Sequence, residues 1–312
     1  MNRGFLLSTI VLGGAVAIAN ASLTAQRPTA GRQQGRASVP NSWAVGAIEK
    51  VADNVYLIPG AGGNTAVYVS MNGVVLVDTK LAHAGQGILD QVRLVTDKPI
   101  THIINTHTHS DHIGSNQFFR ASVEIVVQEN AAGTMQKMSV YQEAANKNGL
   151  PDRTFKDRLT LLSGNDAIDI YYFGAAHTNG DAFVVFRNAR VLHVGDVIAH
   201  KAQPLIDTTN GGSGIAYPDT LAKAVSTLKN VDTIIGGHST TTMKFEDLVD
   251  YSEFSRLFLA HARASLTSGK PPEQAMKEFN LPEKFRDYNL TTGRGGLAGN
   301  FGVLFQELRQ QR

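Results

Sequence analysis

The chain has 312 residues, 42% of them hydrophobic and 18% charged, the profile of a globular protein of one or two domains rather than a disordered one. Its 29 basic and 27 acidic residues leave a net charge of +2; with no run of Lys or Arg forming a basic stripe, nucleic acid is not an expected partner. Cysteine is absent, which excludes disulfides and thiolate chemistry, so any metal must be held by His, Asp or Glu.

The N-terminus reads as a targeting segment. Arg3 precedes an almost continuously apolar or small run from Phe5 to Ile18, and Ala19-Asn20-Ala21 then offers a cleavage site before Ser22. This order is that of a secretory signal peptide, and the run of about 14 residues is short for a membrane span, which needs roughly 20. The expected organisation is a signal peptide at 1–21, a polar flexible leader at 22–44 and a folded domain at 45–312. The mature protein is then periplasmic or secreted, with no stable membrane insertion once the signal is removed.

Within the domain, Val55 to Ile58 reads as a strand ended by Pro59-Gly60. Thr65 to Ser70 and Val74 to Val77 read as two more, joined by the hairpin signal Asn72-Gly73. Residues 84–95 place Ile88, Leu89, Val92 and Val95 on one side of a helix, and Ile100 to Asn105 reads as a buried strand. A short helix is expected at 112–120, a strand at Val123 to Val127 and a poorly amphipathic helix at 129–148. Residues 151–162 are polar and give no clear signal. Further strands are expected at Ile168 to Phe173, Ala182 to Phe186, Val191 to Val194 and Thr233 to Ile235, with helices at 219–229 and 245–267. The tail from 272 alternates helical segments with Gly-rich turns. Strands with helices between them point to layered sheets covered by helices.

Residues 106–112 read Thr-His-Thr-His-Ser-Asp-His, immediately after an apolar strand. Imidazoles and carboxylates crowded together need a shared cation or mutual hydrogen bonds. Alternation of side chains points His107 and His109 the same way, toward one ion. Asp111 and His112 lie at the loop-to-helix junction, where they can turn to a second ion about 3.5–4 Å away. His177, Asp196 and His238 each follow an apolar run, where strands give way to loops. Five His and two Asp suit two divalent cations, with zinc expected first, iron or manganese as alternatives, and a small molecule as substrate. Asp181 is a candidate to orient His177, and His200 and Lys201 are candidates to meet a substrate carboxylate. His83, His102, His193 and His261 read as structural or surface residues.

The pattern His107-x-His109-x-Asp111-His112, with His177, Asp196 and His238 downstream, resembles the metallo-β-lactamase fold superfamily from about Val51 to His238, and Asp78 matches its early supporting Asp. The resemblance implies an α/β fold, a four-layer αββα sandwich with a helical C-terminal region and metals at one edge. It also implies His107, His109 and His177 on one ion, Asp111, His112 and His238 on the other, and Asp196 bridging both. True β-lactamases mainly carry Cys or Ser near that last position, whereas glyoxalase II and lactonase branches carry Asp, so lactamase activity is not favoured. The segment Ala176 to Asp181 resembles exported hydrolases related to quinoprotein-associated proteins. The implied function is hydrolysis of an ester, thioester, lactone or lactam by a metal-bridging hydroxide, with Asp111 orienting or accepting the proton. The alternatives are a metal-dependent oxidoreductase of sulfur-dioxygenase type and a non-catalytic periplasmic metal-binding accessory protein.

Overall fold

The computed structural model describes residues 44–290 and 296–311. The signal peptide and all of the leader but Ala44 lie outside them. Seven strands form the first sheet: β1 (Glu49–Ala52), β2 (Val55–Ile58), β3 (Thr65–Val69), β4 (Val74–Val77), β5 (Ile100–Ile104), β6 (Glu124–Gln128) and β7 (Arg153–Phe155). They lie in chain order, antiparallel from β1 to β4 and parallel from β4 to β7. Each parallel step needs a crossover. These are α1 (Gly85–Arg93), then α2 (Ser110–Ile113) with a 3-10 turn at Asn116–Ser122, then α3 (Glu129–Met135) and α4 (Ser139–Gln142).

The second sheet has five strands: β8 (Arg158–Leu161), β9 (Ile168–Tyr171), β10 (Phe183–Phe186), β11 (Val191–His193) and β12 (Thr233–Ile235). Its order is β12-β11-β10-β9-β8, antiparallel except for the β11–β12 pair. Helix α5 (Tyr217–Thr227) crosses over between β11 and β12, and α6 (Phe245–Thr267), α7 (Pro272–Glu278) and α8 (Gly296–Gln310) follow.

Period-two alternation sorts the strand side chains into layers. Val55 and Leu57 of β2, Val75 and Val77 of β4, Ile168 and Ile170 of β9, and Val184 and Phe186 of β10 meet between the sheets. The opposite faces turn outward. Val74 and Leu76 pack against Ile88 and Val92 of α1, and Phe183 and Leu192 against Leu221 of α5 and Leu248 of α6. Two sheets face to face, each covered by helices, make the four-layer αββα sandwich. A further cluster, including Phe258, Ala275, Phe301 and Phe305, seats α7 and α8 against α6. Each large apolar side chain buried this way contributes about 1.5–3 kcal/mol.

Three stretches differ from the sequence expectation. Residues 151–162 hold β7 and β8, whose side chains are mostly exposed and which bury only Phe155 and Leu161; edge strands carry little hydrophobic periodicity. The exposed β1 gave no signal for the same reason. The helix expected over 129–148 breaks into α3, α4 and a 3-10 turn, with Met138 and Glu143 extended between them.

Candidate metal centre

The centre begins at the end of β4. Asp78 adopts φ 65°, a left-handed conformation that costs a non-glycine residue free energy and so marks a constrained site. Its backbone N–H donates to Ile104 O at 2.9 Å, which stitches it to the end of β5. Its carboxylate accepts from Thr106 N at 2.7 Å and Thr106 Oγ1 at 2.7 Å, and meets His112 Nδ1 at 2.7 Å. Asp78 and His112 are both fully buried.

Each imidazole of the first-sheet loop is fixed through one nitrogen. His112 uses Nδ1 on Asp78. His107 Nδ1 lies 3.0 Å from Thr106 Oγ1. His109 Nε2 lies 2.7 Å from a carboxylate oxygen of Asp207. The other nitrogens converge. His109 Nδ1 is 3.0 Å from His177 Nε2, and His112 Nε2 is 3.4 Å from His238 Nε2.

The second sheet supplies the rest. His177, after β9, places Nδ1 2.9 Å from Leu205 O. Asp196 follows β11 in a 3-10 turn (Gly195–Ile198), its Oδ1 3.4 Å from His112 Nε2 and its Oδ2 3.3 Å from His238 Nε2 and 3.8 Å from His177 Nε2. His238 follows β12, its N–H donating to Ala199 O at 2.8 Å. Two groups result: His107, His109, His177 and Asp196 in one, Asp111, His112 and His238 in the other, the donor atoms of each within 4.8 Å of one another. Asp196 lies between them.

The chemistry of this donor set fits cations. His107 Nε2 and Asp196 Oδ1 are buried and make no hydrogen bond, a cost folded proteins avoid unless the atom is used. Charge points the same way. Burial pushes the His107 and His177 imidazoles down, His177 to about 4. Burial also opposes protonation of His112, yet Asp196 and Asp78 outweigh it and raise that imidazole well above its usual value. In His238, Asp111 and Asp196 overcome burial and lift it to about 9. The carboxylates thus draw positive charge to the point where the two groups meet.

A strap behind the second group holds it in place. Lys80, fully buried and also left-handed at φ 63°, donates through Nζ to Ile58 O at 2.7 Å and Gly63 O at 2.8 Å; burial pushes its ammonium down to about 7. Gly63 N donates to Asp111 O at 2.9 Å, and a Cβ at Gly63 would lie 2.3 Å from the His112 ring. Asn64 Nδ2 ties the strap to Gly236 O and Ser239 O, both at 2.8 Å, on either side of His238. The fully buried His193 lies 3.2 Å from Asn64 O through Nε2.

All seven expected cluster residues and Asp78 come together. The other candidates sit elsewhere in the network. Asp181 accepts from Thr178 N and Oγ1, closing the turn that carries His177, while the His177 ring turns to Leu205. Lys201 Nζ lies 2.5 Å from Asp247 on α6. His200 is half-buried, its imidazole lowered by burial and by His238. Sequence reasoning missed Asp207, Lys80 and Asn64. Each lies in a loop or just past a strand, where nothing periodic marks it.

A cavity of about 460 Å³ opens beside the cluster, lined by His109, Asp111, His177, Asp196, the 205–209 loop, and Asn300 and Val303 of α8.

Comparison with known proteins agrees with this geometry. A type 2 metallo-beta-lactamase from Bacteroides fragilis is 23% identical over 205 residues, 61% of this chain and 78% of that protein. Among solved structures, the DIM-1 metallo-beta-lactamase superposes with a TM-score of 0.57 at 18% identity, covering 68% of this chain and 98% of that one. The stereoselective inverting sec-alkylsulfatase Pisa1 from Pseudomonas sp. gives 0.71 at 14% identity, covering 84% of this chain. The present chain spans about half the length of that sulfatase, and at such identities these likenesses show the fold alone. The family model described as the metallo-beta-lactamase superfamily matches residues 58–238, more than half of the chain and every member of the two His/Asp groups, so the chain belongs to the metallo-β-lactamase superfamily.

Proposed function

We propose that the protein is an exported hydrolase holding two divalent cations, zinc by preference, and cleaving an ester, thioester, lactone or lactam. The reading rests on one observation above all: His107 Nε2 and Asp196 Oδ1 are buried without hydrogen bonds at the meeting point of two convergent donor groups. In this reading His107, His109 and His177 hold one ion, Asp111, His112 and His238 the other, and Asp196 both. What such cations would supply when bound is a water whose pKa is lowered to about 7 and a polarised scissile carbonyl.

The chain's own residues do the remainder. Asp111 lines the cavity, and although burial pushes its carboxyl up, His238 and His112 hold it below the usual range, so it stays a carboxylate. It orients the attacking water and takes its proton. Asp207 and the Leu205 carbonyl fix His109 and His177 from behind. The sulfatase-like fold adds sulfate esters as a second reading. Among the described residues no Lys or Arg lines the cavity, so no side-chain cation stands ready to hold a sulfate oxygen, which favours an uncharged acyl substrate over an anionic sulfate.

Elemental analysis of purified protein, with turnover on a panel of esters, thioesters, lactones, β-lactams and a sec-alkyl sulfate, tests this. Two zinc ions per chain and acyl turnover are expected. His109→Ala loses metal and activity together, and Asp196→Ser retains close to one ion. Oxygen uptake with iron bound points instead to the oxidoreductase reading, and metal without any turnover to an accessory role. Export is tested by the mass of the mature protein, expected to begin at Ser22.

A further inference from the structure

Helix α8 buries Leu297, Phe301, Leu304, Phe305 and Leu308 on one stripe, the i, i+4, i+7, i+8, i+11 pattern of a core-facing helix. Asn300 belongs to that stripe and is 7% exposed, at a position where an apolar side chain is the stabilising choice. Among the described residues no side chain or backbone group hydrogen-bonds its carboxamide, which lines the cavity beside His109, Asp111, His177 and Asp196. Its carboxamide is thus turned to the cavity rather than engaged in the fold, and a polar group displayed from a core-facing stripe into a site is placed to meet a ligand. The helix is pinned in place: Glu307 accepts from Gly214 N at 2.8 Å. Around Asn300 the cavity wall is apolar at Leu205, Ile206 and Val303.

We infer that Asn300 determines specificity: its carboxamide hydrogen-bonds an uncharged polar group of the substrate, while Leu205, Ile206 and Val303 hold an apolar acyl chain. The preferred substrate class is therefore neutral acyl compounds with a hydrocarbon tail. This inference rests on the hydrolase reading above.

The test uses zinc-loaded full-length mature protein, with p-nitrophenyl acetate and p-nitrophenyl octanoate as probes. Wild type favours the octanoate. Asn300→Leu keeps the volume but removes the polar group; kcat/KM for the octanoate falls about threefold to tenfold, mainly through KM, at unchanged zinc content. The same substitution leaves Tm within about 2 °C of wild type, because the amide faces the cavity and holds nothing in the fold. Asn300→Gln recovers part of the lost KM. A residue with only a structural role gives the opposite pair of results, a lower Tm with unaltered kinetics. Either a fall in Tm beyond that range or a kcat/KM equal to wild type overturns the inference and leaves the hydrolase reading intact. A zinc-loaded wild type that turns over neither these probes nor the wider panel overturns the hydrolase reading, and the inference falls with it.

Discussion

The seven side chains of the centre arrive from two sheets, and the two sheets hold them by different means. The first sheet contributes four of them within six residues, and it secures them with buried charge: Asp78 on His112 and Thr106, Lys80 on the strap that carries Asp111. The second sheet contributes three that are far apart in sequence, and it secures them with backbone. His177 meets the Leu205 carbonyl, Gly237 N donates to Gly195 O, and His238 N donates to Ala199 O. A crowded loop of like imidazoles needs a counter-charge to be held together. Isolated side chains at separate strand ends need only a well-placed main chain, and glycines that let it come close.

The largest effect is expected at the charged support. Asp78→Ala leaves His112 Nδ1 and both Thr106 donors without an acceptor in a fully buried place. Removing one partner of a buried charged pair costs about 3–5 kcal/mol. Chemical denaturation of metal-free protein reads the loss, and zinc content falls with it. A cost under about 1 kcal/mol, within the range of ordinary surface pairs, breaks the distinction between the two halves.

The backbone-held half is probed at Gly237. A Cβ there would lie 1.9 Å from Asp196 Oδ1 and 2.8 Å from the Gly195 carbonyl carbon. The second of these is backbone and cannot swing aside, so Gly237→Ala is expected to cost about 3 kcal/mol, the upper end of overpacking. Because the methyl displaces Asp196, bound metal drops toward one ion per chain; two retained ions count against the bridging position of Asp196. Asp207 is a case of side-chain support reaching across the halves, since it lies past β11 yet fixes His109 of the first loop. Asp207→Asn removes the charge while keeping the shape, and competition with a chelator is expected to show about 10–100-fold weaker zinc binding with little change in the stability of the metal-free protein.

How much of this was legible follows the same division. The buried strands of both sheets, such as Val55–Ile58 and Val74–Val77, were readable because they are short continuous apolar runs bounded by turn residues, buried nearly throughout. The 107–112 cluster was readable because its density is unusual in any sequence. His177, Asp196 and His238 were found by their place after apolar runs and by the family pattern. What escaped is what depends on three-dimensional proximity alone. Asp207 is 98 residues from the imidazole it supports, and nothing in the polar 200–217 loop marks it. Lys80 looked like an ordinary charge after a strand; only the fold shows it buried with two carbonyls around its ammonium. Asn300 had a signal, a lone amide in an apolar helical stripe, which is weak until a cavity is seen beside it.

The smallest effect comes from a charged group that the second sheet does possess, on the helix-facing side of β9 and outside the two donor groups. Burial pushes the Asp169 carboxyl up, but Arg187, Thr160 and Arg158 outweigh it and hold it at about 2. Thr160 Oγ1 donates to it at 2.6 Å and Arg158 at 3.2 Å. An unfolded Asp titrates near 3.9, so between roughly pH 4 and 2 the unfolded chain binds more protons than the native one, and stability falls as pH falls. The contribution is fully present above that window and gone below about pH 2. Both guanidinium partners are about half exposed, so solvent screening limits it to about 1 kcal/mol. Wild type and Asp169→Asn should therefore differ by that amount at pH 6 and converge on acidification. A gap that persists unchanged to pH 2 means that the carboxylate's hydrogen bonds and packing, rather than its charge, hold β8 to β9; the second sheet would then depend on charge nowhere along these strands, and the contrast with Asp78 would be sharper still.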